Sequence, residues 1–130
     1  MDVNMPPEEG DTYTYERTFT TDDVEMFAEV SGDDQPIHSV PDEEGRLVVQ
    51  GLLTATMPTA IGAALEVLAY HMDTRFHKPV YTGETITCET TTTKVEEKDD
   101  RYDVRGENVC TNEDGEEVLT GYFEGVVWKD

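Results

Sequence analysis

The sequence predicts an α+β fold in which an antiparallel β-sheet wraps around one buried central helix, and three observations carry that reading. First, residues 51 to 65 read GLLTATMPTAIGAAL, with no charged residue in 15 positions. A helix apolar on every side must be surrounded by protein, and this run is too short to span a bilayer and is interrupted by Pro58 and Gly62. Second, TITCETTTTKV at 85 to 95 is dense in β-branched residues, and VLTGYFEGVVW at 118 to 128 alternates strongly. Third, turn signals separate these runs at hairpin spacing: Thr82-Gly83-Glu84, the polar EKDDR, and NEDG at 112 to 115.

The elements follow in order. After Pro6, Pro7 and Gly10, the run TYTYERTF at 12 to 19 suits a first strand. Thr20 or Thr21 can then cap a helix whose first turn carries Asp22 and Asp23, where negative charge suits the positive end of the helix dipole. Val24, Phe27 and Ala28 fall at helical spacing, and Gly32 is a natural stop. Residues 33 to 49, with Pro36, Pro41 and Gly45, form a connection long for a compact domain, which points to a functional loop. The central helix follows over 51 to 65, and Pro58 should remove a backbone hydrogen bond and bend it near its middle. VLAYHMDTRFHKPVY at 67 to 81 reads as sheet, and Tyr102, Val104, Val109 and Cys110 mark a further strand. The order is strand, helix, loop, buried helix, then about four strands joined mostly by hairpins. That arrangement is the hot-dog fold; a generic α+β sandwich with both helices on one face is the alternative.

With 130 residues and no break in composition, residues 1 to 130 form a single domain. Nine basic residues stand against 30 acidic ones, a net charge of −21. Such a surface repels nucleic acid and anionic membranes, so neither is expected as a partner. The acidic residues are scattered among periodic apolar runs, which argues against a disordered acidic tail. At molar salt the Debye length shrinks to about 3 Å and most of the self-repulsion is screened, so the composition fits the salt-rich cytoplasm of a halophile, with a merely acidic mesophilic protein as the alternative. MDVNMPPEEGD at the N-terminus has neither the basic start nor the apolar core of a secretory signal, and a cytoplasmic location is expected. Cys88 and Cys110 lack any metal-ligand or CxxC spacing and read as small buried side chains, so no metal site is expected.

SGDDQPIH at 31 to 38 leaves two readings open on spacing alone: Asp33 as a helix-terminal cap with His38 as a loop histidine, or a carboxylate and an imidazole positioned for chemistry. A resemblance decides between them. FAEVSGDDQPIH at 27 to 38, VVQGLL at 48 to 53 and RFHKPVYTGETIT at 75 to 87 resemble, in order and spacing, three signature blocks of the MaoC-like (R)-specific enoyl-CoA hydratases, and EEGDTYTYERTFTTDDVEMFA resembles the family's usual start. Together they span nearly the whole chain. The family's Asp-x-Asn-Pro-x-His pattern maps onto Asp33, Pro36 and His38, with Gln35 where Asn is usual. The His-Gly pair that commonly opens the central helix reads Gln50-Gly51: the glycine is kept, but the imidazole is replaced by an amide that donates hydrogen bonds and cannot titrate.

The resemblance implies hydration of a trans-2-enoyl-CoA to the (R)-3-hydroxyacyl-CoA, or the reverse dehydration. Coenzyme A enters as part of the acyl-CoA thioester substrate, and no metal or bound cofactor is expected. Asp33 and His38 would exchange protons with one water, the Gly51 N–H would be the oxyanion donor, Gln50 would stand beside it, and Thr59 and Gly62 would line the acyl tunnel. A homodimer with sites near the subunit interface is implied as well. The chemistry suits these groups: an ordinary Asp is ionised near neutral pH, an ordinary His exchanges protons there, and unpartnered helix-start N–H groups favour developing negative charge. Asp34 reads as solvated surface, His71 and His77 as structural histidines, and Arg75 and Lys78 either as contacts for the CoA phosphates or as partners of local carboxylates. Two other functions fit the same fold. A thioesterase would need a carboxylate on or near the central helix, which carries none before Glu66; a non-catalytic acyl-CoA-binding protein would be consistent with the loss of His at Gln50.

Overall fold

Five antiparallel strands in the order β1-β3-β4-β5-β2 form one sheet in the computed structural model, which describes all 130 residues. β1 (Thr12–Thr18) and β2 (Leu68–Phe76) are the edges, and β3 (Thr85–Glu97), β4 (Arg101–Thr111) and β5 (Glu117–Trp128) lie between them. The alternation read from the sequence becomes a two-faced sheet. Ile86, Cys88, Thr90 and Thr92 of β3 point inward, as do Val104, Asn108 and Cys110 of β4 and Phe123 and Val127 of β5. Cys88 and Cys110 sit opposite each other in the ladder as buried free thiols. The hairpin at 112 to 115 closes as its composition predicts: the Asn112 side-chain oxygen accepts from the N–H groups of Asp114 and Glu116, and Gly115 takes φ +77°.

Helix α1 (Thr21–Ser31) starts on a capping box. The Thr20 hydroxyl accepts from the Asp23 N–H, the Asp23 carboxylate accepts from the Thr20 N–H, and Gly32 ends the helix in the left-handed conformation at φ +79°. The long connection is ordered by a short helix, α2 (Pro36–Ser39), with proline at its first position, and by a bridge between Val48 and Tyr81.

The central helix differs from expectation in two ways. It is two pieces, α3 (Gly51–Thr54) and α4 (Thr56–Ala64), and the break falls at Ala55, not at Pro58. Pro58 lies in the first turn of α4, where a backbone N–H has no helical acceptor in any case, so the chain meets the proline by restarting the helix at Thr56, two residues ahead of it. Nor is the helix covered on every side. Leu53, Met57, Ile61 and Leu65 pack into the core with Phe19, Val24, Ile86, Val118 and Leu119, whereas Leu52 is 66% exposed and Thr59 and Ala63 are open to solvent. The sheet segment expected over 67 to 81 is also shorter: pairing with β5 ends at Phe76, and residues 77 to 81 turn back to meet the 47 to 49 segment. No helix is long and apolar enough to cross a membrane.

Candidate active site

Asp33 is fixed at three points. Its N–H donates to the Ser31 hydroxyl at 3.1 Å, its carbonyl oxygen accepts from the Gln50 side-chain amide at 3.3 Å, and its carboxylate Oδ1 accepts from Gln35 Nε2 at 3.0 Å. Gln35, one methylene longer than the asparagine of the family pattern, thus still holds the carboxylate. The remaining oxygen, Oδ2, lies 3.5 Å from His38 Nε2. α2 supplies His38, which is buried, and its other ring nitrogen, Nδ1, is 2.6 Å from the Val48 carbonyl oxygen. A carbonyl can only accept, so Nδ1 carries a proton, and in the neutral ring Nε2 is then the lone-pair nitrogen. Two acceptors face each other at 3.5 Å, too far for a direct hydrogen bond. One water donating to both satisfies them and keeps its own lone pairs for an electrophile.

The Val48 carbonyl is held in turn. The Val48 N–H donates to the Ile37 carbonyl and the Val49 N–H to that of Val80, so α2, residues 47 to 49 and residues 80 to 82 form one braced unit. Gln50, buried and capping the start of α3, donates through Nε2 to the carbonyls of Val24 and Asp33, and its Oε1 is buried without a partner. It therefore ties α1 and the Asp33 loop to the central helix, the structural donor role that an amide can retain.

His38 and Gly51 line a cavity of about 300 Å³ whose walls include Thr54, Phe76, His77 and Lys78. The Gly51 N–H makes no hydrogen bond to protein. A Cβ at Gly51 would come within 3.0 Å of the Phe76 ring, so only glycine leaves this edge of the cavity open beneath the phenyl group. Asp33 reaches the cavity only through His38, and its carboxylate is 41% exposed.

The structure does not bring Thr59 and Gly62 into this cavity; they line a second one further along the helix. His77 accepts or donates at Thr120 Oγ1 (2.7 Å), and His71 stacks on Tyr122, so both have structural partners. Lys78 is paired with Glu116, and Arg75 lies 3.7 Å from Asp73; each of the nine basic side chains has a carboxylate within 4.0 Å. Glu66 lies exposed beyond the end of α4, at φ +59°, and cannot serve a thioester held at Gly51. The Val48 carbonyl and the Phe76 ring carry no signal in the sequence. Gln35, two residues after Asp33, could have been read from spacing as its partner.

A family model described as MaoC like domain matches residues 3–114. The mitochondrial 3-hydroxyacyl-[acyl-carrier-protein] dehydratase of Arabidopsis thaliana is 29% identical over 117 residues, covering 85% of this chain and 70% of that protein. Among solved structures, R-hydratase PhaJ1 from Pseudomonas aeruginosa superposes with a TM-score of 0.80 at 22% identity, over 95% of this chain and 83% of that one. The (R)-hydratase from A. caviae involved in PHA biosynthesis superposes with a TM-score of 0.81 at 23% identity, over 93% and 97%. These two likenesses establish the hot-dog fold, and the family match covers most of the chain, His38 and Gly51 included. The chain is a member of the MaoC-like hydratase and dehydratase family.

Proposed function

We propose that this protein hydrates trans-2-enoyl-CoA thioesters to (R)-3-hydroxyacyl-CoA, or catalyses the reverse dehydration, with no metal or bound cofactor. The observation that carries the proposal is the 3.5 Å gap between Asp33 Oδ2 and a His38 Nε2 whose ring is oriented by the Val48 carbonyl. A water in that gap loses a proton to the pair as its oxygen bonds to C3 of the substrate. The pair returns a proton to C2, so both additions occur on one face. Negative charge that gathers on the thioester oxygen is met by the Gly51 N–H, which has no other acceptor. Acid–base help of this kind contributes about 10²–10⁴ in rate. Elimination is the same path reversed.

A homodimer belongs to the proposal. β2 is an edge strand, and Leu52, Leu68, Tyr70, Met72 and Phe76 are each more than half exposed along it and the adjoining helix start. The opposed free thiols of Cys88 and Cys110 suit a reducing compartment such as the cytoplasm. The relative's name gives it a carrier-protein thioester; both carriers present the enoyl group on a phosphopantetheine arm, and Lys78, the one cation lining the cavity, offers a phosphate partner to either. In molar KCl the purified protein should remove the conjugated absorbance of crotonyl-CoA or a longer homologue and yield the (R) alcohol. Release of free CoA, detected with a thiol reagent, would instead establish a thioesterase, and tight binding without conversion a non-catalytic binder.

A further inference from the structure

Thr54 stands apart among the polar side chains that wall the His38–Gly51 cavity. The others are engaged: His38 with the Val48 carbonyl, His77 with Thr120 and Lys78 with Glu116. Thr54 is only 3% exposed, yet its hydroxyl makes no hydrogen bond to protein. Asp11 Oδ2 and Gln50 Oε1 are the atoms sealed from solvent without a partner, so the little surface that Thr54 keeps includes its Oγ1, and that surface opens on the cavity. The threonines that follow show the usual alternative. Thr56 Oγ1 donates to the Leu53 carbonyl and Thr59 Oγ1 to that of Ala55, the back-bonding that satisfies a hydroxyl within a helix. Thr54 makes no such bond; the Gln50 carbonyl one turn back accepts instead from the Leu53 and Thr54 N–H groups.

Thr54 follows Gly51 by three residues in α3, so the two share a face and lie about 4.5 Å apart along the axis. Helical side chains lean toward the N-terminal end, which carries the Thr54 side chain back toward the level of the Gly51 N–H. A carbonyl oxygen held by that N–H has a second lone pair to satisfy. The rest of the nearby wall does not supply a donor. The Phe76 ring closes one side, 3.0 Å from where a Gly51 Cβ would stand, Pro79 has no N–H, and the N–H groups of Val48 and Val49 already donate to the Ile37 and Val80 carbonyls.

We propose that Thr54 is a second oxyanion donor, its hydroxyl bonding the thioester oxygen beside the Gly51 N–H. A hydroxyl hydrogen turns to suit its acceptor, and the bond strengthens as negative charge gathers on that oxygen while water adds to C3. The interaction therefore favours the transition state over bound substrate and acts on kcat more than on KM. The proposal rests on the hydratase reading only in placing a thioester carbonyl at Gly51.

The test compares Thr54→Val, which keeps the shape and loses the hydroxyl, with Thr54→Ser, which keeps the hydroxyl and loses a methyl group. With crotonyl-CoA, Thr54→Val should lose about 10² in kcat with KM nearly unchanged and a denaturant midpoint no lower than wild type, and Thr54→Ser should recover most of the rate. A packing role alone orders the two the other way, because the valine fills the site and the serine leaves a void. A wild-type kcat in Thr54→Val, or a loss that serine does not restore, overturns the proposal. The second readout needs no turnover: the infrared carbonyl stretch of the ¹³C-labelled dethia analogue of butyryl-CoA, a ketone with no double bond to hydrate and no thioester bond to cleave. Bound to wild type and to Thr54→Ser it should absorb at lower frequency than when bound to Thr54→Val. If no enoyl thioester is turned over, the hydratase reading fails separately and this spectrum decides. Equal frequencies in wild type and Thr54→Val, or an analogue that does not bind wild type, overturn the role assigned to Thr54.

Discussion

The Gln50 side chain donates to the Asp33 carbonyl oxygen at 3.3 Å, so the residue that replaces the usual histidine at the head of the central helix is bonded to the backbone of the proposed base. The same Nε2 serves the Val24 carbonyl at 3.0 Å. Gln50→Ala removes both bonds: the Val24 carbonyl keeps its helical partner within α1, while that of Asp33 is orphaned, a loss worth about 1–3 kcal/mol. A fall in the denaturant midpoint together with a lower kcat is expected, and wild-type stability in that variant would show that the loop does not depend on Gln50. Gln50→Glu should be worse still, since a buried carboxylate would face two carbonyl oxygens.

Net charge sets the salt response. All nine cations are already paired, leaving 21 carboxylates in excess, and salt weakens the surface pairs and the repulsion together. Repulsion is the larger because its charges are the more numerous. The midpoint of thermal unfolding should therefore rise steadily from 0.1 M to 2 M KCl; a flat or falling curve would refute the halophilic reading.

The α1 cap predicts a pH effect. Asp23 is held below the ordinary carboxylate range, first by the Thr20 N–H and further by the Thr20 hydroxyl and Arg17. A carboxyl depressed on folding adds stability above its unfolded pKa of about 3.9, and that contribution disappears as pH falls through the lower folded value. The stability gap between wild type and Asp23→Asn, measured by denaturant titration, should be constant near neutrality and close below about pH 4. Thr20→Ala should lose about 1 kcal/mol.

Glu66 closes α4 in a Schellman motif, with its N–H donating to the Ala63 carbonyl and that of Val67 to Gly62, while φ is +59°. A side chain in the left-handed region costs about 1 kcal/mol relative to glycine. Glu66→Gly should raise stability by about that amount with kcat unchanged, and a destabilised variant would mean that the Glu66 side chain has a role its exposure conceals.

Lys78 is the cation that can reach a ligand in the cavity, in exchange for Glu116. Lys78→Ala should raise KM for an enoyl-CoA about threefold to tenfold at moderate salt, a charged hydrogen bond discounted for exposure. The matching enoyl-pantetheine, which lacks the nucleotide phosphates, should be unaffected. Equal effects on both substrates would remove the phosphate role.

Much of this architecture is legible in the sequence because it follows from local rules. Thr20 and Gly32 bound a helix by capping chemistry, NEDG makes its hairpin, and the alternation in β3 and β5 fixes which residues face inward. The uncharged run at 51 to 65 identifies the central helix but not its break at Ala55, since a proline permits either a kink or a restart and packing selects between them. The exposed face of Leu52 and β2 is equally hidden, because an apolar stripe reads alike whether it meets the same chain or another. At the site, Asp33, His38 and Gly51 come together through motif order. The Val48 carbonyl that orients the imidazole has no side-chain signature.

The most direct measurement is single-turnover loss of enoyl-thioester absorbance in molar KCl for wild type, Asp33→Asn and His38→Ala. Asparagine preserves the shape of Asp33 and its bond to Gln35 while removing the carboxylate. The account predicts that Asp33→Asn folds with a near-native midpoint, that His38→Ala folds with a midpoint lowered by the loss of its bond to the Val48 carbonyl, and that both lose about 10²–10⁴ in the rate of the chemical step. Wild-type rates in either folded variant would contradict a water activated between Asp33 and His38.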